Sequence, residues 1–243
     1  MKAIPRGPQT KLSIGVATLA IFVCAVAGVA HPKKNNAGPG VVFVQDQGKL
    51  TIRLDGKTVG HEEFEVKPAG SGWIAKGAAE IKPSQGVASK VTGSLTLQPN
   101  GAPISYEWTS QAEKTNAANI VFENGVAKMT LQMQGGRPFD QTFTFGTPLI
   151  AVLDNNLYYQ YGVLARLYDW SKRGPQTFSV FIPQELMPGT ITAEATGSAS
   201  LDGQSYEGFR VNATDLEVDL YLDSSHRLMR LEVPTAKVSV VRE

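Results

Sequence analysis

Thiols and imidazoles are scarce in this 243-residue chain, which has one cysteine and three histidines. The cysteine, Cys24, lies inside an apolar run near the N-terminus, so a chain trimmed after that run carries no sulfhydryl at all. That removes disulfides, thiolate nucleophiles and thiolate metal sites together. His31 falls in a stretch rich in Gly, Pro and Asn, leaving only His61 and His226 for chemistry. A surplus of either charge is also missing. Of 23 basic and 22 acidic residues, three basic ones precede residue 30, so the body holds 20 against 22. Nothing there resembles the basic footprint of a nucleic-acid binder. Glycine loops that cradle phosphate are absent too: Gly135-Gly136 runs into Arg137-Pro138 and reads as a turn. TGSAS at 196–200 breaks the nucleophile-elbow pattern at its last position. These absences predict a protein that is not an enzyme and that has no cofactor and no metal.

What is present starts with a leader. Lys2, Arg6 and Lys11 precede the uncharged run LSIGVATLAIFVCAVAGVA, residues 12–30, which ends in small residues. That order is the pattern of a signal peptide. Nineteen residues in a helix also span about 28 Å, close to the roughly 30 Å hydrocarbon core of a bilayer, so an N-terminal apolar helix kept as a membrane anchor is the alternative. Either way the basic flank places the body outside the cytoplasm, in the periplasm or on the outer face of the cytoplasmic membrane. Lipidation of Cys24 is disfavoured, because Phe22-Val23 stands where bacterial lipoprotein signals carry a small residue.

Residues 31–40, HPKKNNAGPG, read as a linker, and residues 41–243 as one β-rich domain. LTIRL at 50–54 and LEVDLYL at 216–222 alternate apolar with polar residues, the period of a half-buried strand. Asp55-Gly56, Asn100-Gly101, Asn124-Gly125 and Asp202-Gly203 supply the residues that tight hairpins need. The expectation is mainly β: an antiparallel meander of about fourteen segments, from 41–45 through to 227–241, with no internal repeat.

One segment departs from this pattern. In VLDNNLYYQYGVLARLYDW, residues 152–170, Leu153, Leu157, Tyr161, Leu164 and Tyr168 recur at helical spacing, with Asp154 or Asn155 placed to cap the first turn. Tyr159, Val163, Leu167 and Trp170 make the opposite side apolar as well. A helix apolar around most of its circumference needs cover on more than one side. That predicts a helix at about 153–169 packed in the concave face of a strongly curved, open half-barrel, with Gly162 admitting a strand at close range. An ordinary connecting helix, packed on one side with its tyrosine hydroxyls in water, is the other arrangement this pattern allows.

Two further motifs invite chemistry. HEEFE at 61–65 begins like a zinc-protease helix but has Glu65 where the second histidine belongs, and as a strand it spreads His61, Glu63 and Glu65 along one solvated face. Asp223-Ser224-Ser225-His226 holds the residue types of a hydrolytic triad, but neighbours in one turn do not adopt that geometry, so a hairpin turn is expected.

With its leader, its meander, LDGKTVGHEEFEV at 54–66 and VLDNNLYYQYGVLARLYD at 152–169, the chain resembles bacterial exported β-rich proteins of unknown function related to the periplasmic lipoprotein carriers. That resemblance implies an apolar cavity between curved sheet and helix, holding a lipid or acyl chain. On it, Leu157, Tyr161, Leu164 and Tyr168 form the helix-side wall, and Arg166 meets a polar head group. The competing expectation is a structural or interaction module of the envelope, engaging another envelope protein. Its core is filled, its gaps hold no more than a few tens of Å³, and an apolar patch lies exposed.

Overall fold

Apolar-polar alternation passes directly into strands. A computed structural model describes residues 43–214 and 216–243. The leader, the linker and the expected N-terminal apolar helix lie outside the described residues. Eight strands come first: β1 Asp46–Leu54, β2 Lys57–Ala69, β3 Gly72–Ile81, β4 Ser89–Leu97, β5 Pro103–Gln111, β6 Thr115–Glu123, β7 Val126–Met133 and β8 Phe139–Thr144. Then follow β9 Ile150–Val152, helix α1 Tyr159–Leu167, β10 Gln176–Ile182, β11 Met187–Leu201, β12 Gln204–Asn212, β13 Glu217–Leu222, β14 Leu228–Val233 and β15 Val238–Arg242. Asp55-Gly56, Asn124-Gly125 and Asp202-Gly203 each take positive φ at both residues, as two-residue hairpin turns require. At Asn100-Gly101 only the glycine does, and the Asn100 side chain accepts from the Ala102 N–H in a wider turn.

All fifteen strands form one curved sheet in the order β8-β7-β6-β5-β4-β3-β2-β1-β15-β14-β13-β12-β11-β10-β9. The two terminal strands meet in its middle, and each half of the chain then grows outward by hairpins. Among the described residues the single parallel pairing joins β9 to β10, with α1 as the crossover. The edges β8 and β9 are separated in sequence only by residues 145–149. No strand pairing joins those edges, so the sheet stays open. Side chains bridge the gap instead: Phe143 and Phe145 both pack on Phe181, with centroids 4.6 and 5.8 Å away.

The strand expected at 41–45 does not form within the described residues, since Phe43–Gln45 is irregular and the strand starts at Asp46. The segment at 227–241 is two strands, divided where Pro234 opens a short turn closed by left-handed Lys237. Ile150–Val152 carries no alternation because all three residues are buried. The helix is also shorter than expected, beginning at Tyr159 rather than at 153. Asn156 takes a φ of +67°, and the two expected capping residues are engaged elsewhere. Asp154 accepts from the Gln184 N–H at 3.0 Å, and the Asn155 amide donates to Glu185 at 2.7 Å.

The sheet wraps α1. Tyr159 stacks on Phe64 of β2, Gln160 reaches Tyr106 of β5, and Tyr161 sits among Val180, Ile191, Val211 and Val218 of β10 to β13. Gly162 faces Leu228 of β14, but the close approach expected there is not needed: a Cβ would lie 3.5 Å from Leu228 Cβ, an ordinary contact. Gly162→Ala should therefore stabilise the protein by about 0.5–1 kcal/mol through helix propensity. Urea denaturation checks this, and a lower midpoint would show that β14 does require the space.

Candidate functional site

The most unusual chemistry inside the curved sheet is a carboxylate where the strand pattern calls for a hydrocarbon. Along β2, Gly60, Glu62, Phe64 and Val66 share the inward face, and Glu62 is fully buried. Its oxygens accept from the Tyr158 and Tyr159 N–H groups at 2.8 and 3.2 Å, so a side chain 96 residues away caps the first turn of α1. Beside it, Gln160 donates to the Tyr106 hydroxyl at 3.0 Å and accepts from the Asp154 N–H. Asp154 Oδ2 lacks a partner at hydrogen-bond geometry among the described residues, although the Tyr106 hydroxyl is near enough to favour its charged form.

Two glycines make room for this cluster. Gly77 and Gly93 are cross-strand partners on β3 and β4. A Cβ at Gly77 would overlap the Tyr159 ring, and one at Gly93 would come within 2.7 Å of the Tyr106 hydroxyl and 2.8 Å of Leu157 Cδ1. On the opposite face of the sheet, over the same pair, lies an open groove of about 500 Å³ walled by Glu63, Glu65, Lys76, Thr92, Ser94 and Glu107.

Burial sets the electrostatics. It pushes Glu62 up to about 8, outweighing the two N–H groups that pull it down. It pushes Asp154 up to about 7 against the Gln184 N–H and the Tyr106 hydroxyl, with the Glu185 charge adding to the rise. Tyr161 is pushed up to about 12 by burial alone. These groups are enclosed, and the cluster ties β2 and β5 to the start of α1.

The residues expected to form a ligand wall are distributed around the helix, and two of them border separate gaps. Tyr161 borders a gap of about 30 Å³ with Leu153 and Val218. Arg166 borders another of about 20 Å³ near the helix C-terminus. Leu157 is buried against Gly93, and Leu164 is buried in the core. The Tyr168 hydroxyl donates to the Gly174 carbonyl at 2.6 Å and accepts from the Ala195 N–H at 3.2 Å, while its ring meets Trp170 and Phe209 edge-on. His61, Glu63 and Glu65 lie on the outer face of β2, with His61 beside Glu243 at 3.2 Å. Asp223 to His226 form the β13–β14 turn, in which His226 takes a φ of +55° and stacks on Trp170 with centroids 3.8 Å apart.

Glu62 escaped the sequence reading, although its signal was there. It has the parity of Phe64 and Val66, not that of His61, Glu63 and Glu65.

No family model and no curated protein matches this sequence. Among solved structures the chain is similar to a β-barrel-like protein of the domain of unknown function DUF1849 from Brucella abortus, at 9% identity and a TM-score of 0.55, covering 82% of this chain and 95% of that one. The likeness is one of fold. A DUF1089 family protein from Pseudomonas aeruginosa aligns at 9% identity with a TM-score of 0.44, covering 88% of this chain and 97% of that one. Among the described residues no helix is long and apolar enough to cross a membrane.

Proposed function

We propose that this chain is an exported, non-enzymatic interaction module of the cell envelope, whose helix plugs a barrel-like sheet and whose surface engages another envelope protein. The filled interior carries this reading: the gaps beside α1 measure about 20 and 30 Å³. Pockets for small molecules measure about 300–1,000 Å³, so an acyl chain needs roughly tenfold more room. The apolar inner row of β7 and β8 adds support. It passes from buried to exposed, with Met129 buried, Leu131 half-buried, and Met133 and Phe139 exposed at 45 and 46%. Export rests on the basic-apolar leader.

Kinship with lipoprotein carriers would add a bound lipid, and a curved sheet around one helix is what favours it. The two readings separate on purified protein. Organic extraction followed by mass spectrometry is expected to recover no stoichiometric lipid, and native mass spectrometry to give the bare chain mass. One lipid per chain would replace the plugged module with a carrier.

A further inference from the structure

Near its C-terminus α1 presents Arg166 to a region where the other charges already have partners. Asp46 receives Arg242 at 2.7 and 3.2 Å, Asp223 receives Arg227 at 2.6 Å, and Glu207 faces Arg173 at 3.5 Å. The Arg166 side chain makes no ion pair or hydrogen bond among the described residues, and its Nη2 is buried. The N-terminal 42 residues contain no aspartate or glutamate, so that segment has no carboxylate to offer. A buried guanidinium N–H without an acceptor is costly, so an oxygen supplied to Arg166 Nη2 is favoured.

Space for such an acceptor lies beside it. The gap of about 20 Å³ is bordered by Asp46, Arg166, His226 and Arg227 together with Phe64 and Leu228, and it has room for one water-sized atom. Its lining is held firmly. The Asp223 carboxylate accepts from the N–H groups of Ser225 and Arg227 at 2.9 Å each, and His226 is clamped by its stack on Trp170. Val44, 58% exposed, borders the same gap and puts it at the surface. Arginine's fork is suited to carboxylate and phosphate oxygens.

We infer that Arg166 and this gap form an oxyanion site, which takes one oxygen of a carboxylate or phosphate group presented from solvent. The site stands apart from the plugged-core reading, since it lies at the surface and needs no internal cavity.

Isothermal titration of the full chain with inorganic phosphate and with acetate, against chloride at matched ionic strength, tests this. Saturable binding of one oxyanion is expected, weakened at least tenfold by Arg166→Met and unchanged by Arg137→Met on the exposed β7–β8 turn. If Arg166→Met does not fold, the wild type still decides. In a phosphate titration followed by NMR, the ring signals of His226 should shift to saturation while those of His61 stay fixed. Sedimentation with phosphatidylglycerol vesicles, against phosphatidylcholine, separates the sources. Arg166-dependent capture by the anionic vesicles points to a lipid head group, and binding of the free ions without capture points to a small solute. No saturable binding to any probe would mean that water alone fills the gap and would overturn the assignment. So would binding that Arg166→Met leaves intact, or a silent His226.

Discussion

Raising the pH from 5 to 7 is expected to weaken the fold by roughly 5 kcal/mol, a large share of the 5–15 kcal/mol that usually holds a domain together. Glu62 and Asp154 are the cause. Their folded values, about 8 and about 7, stand above the ordinary 4.5 and 3.8, because burial penalises the ionised carboxyl. Below the ordinary values both states hold these protons and the fold has its full stability. Between the ordinary and the raised value only the folded state keeps the proton, and each group removes about 1.4 kcal/mol per pH unit. Above about 8 both are ionised and the loss levels off. His226 works the other way, since burial and the Arg166 charge hold it below 6.5, so its contribution grows as pH rises through that range. Asp169 and Glu243 are held below their ordinary values and act at lower pH. Urea unfolding at pH 5, 6, 7 and 8 should show the midpoint falling. Glu62→Gln should remove part of the slope, and adding Asp154→Asn should remove most of the rest. A flat wild-type profile would mean that water reaches the cluster and leaves these carboxyls unperturbed.

Filling the recess at Gly77 and Gly93 is expected to do comparable damage. Neither glycine needs a left-handed backbone, so space alone is at issue. The added methyl of Gly93→Ala meets the Tyr106 hydroxyl and Leu157, both fully enclosed, and that of Gly77→Ala meets the Tyr159 ring. Overpacking of this kind costs about 1–3 kcal/mol per site, and valine at either position costs more. The consequence goes beyond lost stability, because Tyr159 donates one of the N–H groups held by Glu62. The double alanine variant should expose tryptophan fluorescence to quencher and lower the unfolding midpoint far below wild type. Gly189→Ala, whose methyl would make an ordinary 3.5 Å contact with Val180, is the matched control and should change stability by less than about 0.5 kcal/mol. Equal behaviour of the double variant and the control would remove the recess from the account.

Much of this architecture is legible in local sequence. Three Asp-Gly or Asn-Gly pairs mark hairpins at the expected places, and the alternation in LTIRL and LEVDLYL gives the correct inward face. The all-round apolar character of Tyr159 to Leu167 correctly implies cover from several sides. What local sequence does not contain is partnership at a distance. The helix start is decided by Glu62, 96 residues before Tyr158, so Asp154 and Asn155 were plausible caps that the fold uses to anchor Gln184 and Glu185. Ile150–Val152 shows no period because a strand enclosed on both faces has none to show. Arg166 was expected at a polar head group, but whether acids nearby are already engaged depends on Asp46, Asp223 and Glu207, which come from three different parts of the chain.

The seam between β1 and β15 bears on how the molecule is made. Leu50 lies opposite Arg242, so the first and last strands become neighbours across nearly the whole polypeptide. During synthesis each wing can build itself from adjacent hairpins as it emerges, but the join between wings waits for β15. A chain lacking β15 would present β1 and β14 as raw, sticky borders. Quality of assembly in this protein is therefore decided by β15, the strand that closes the seam.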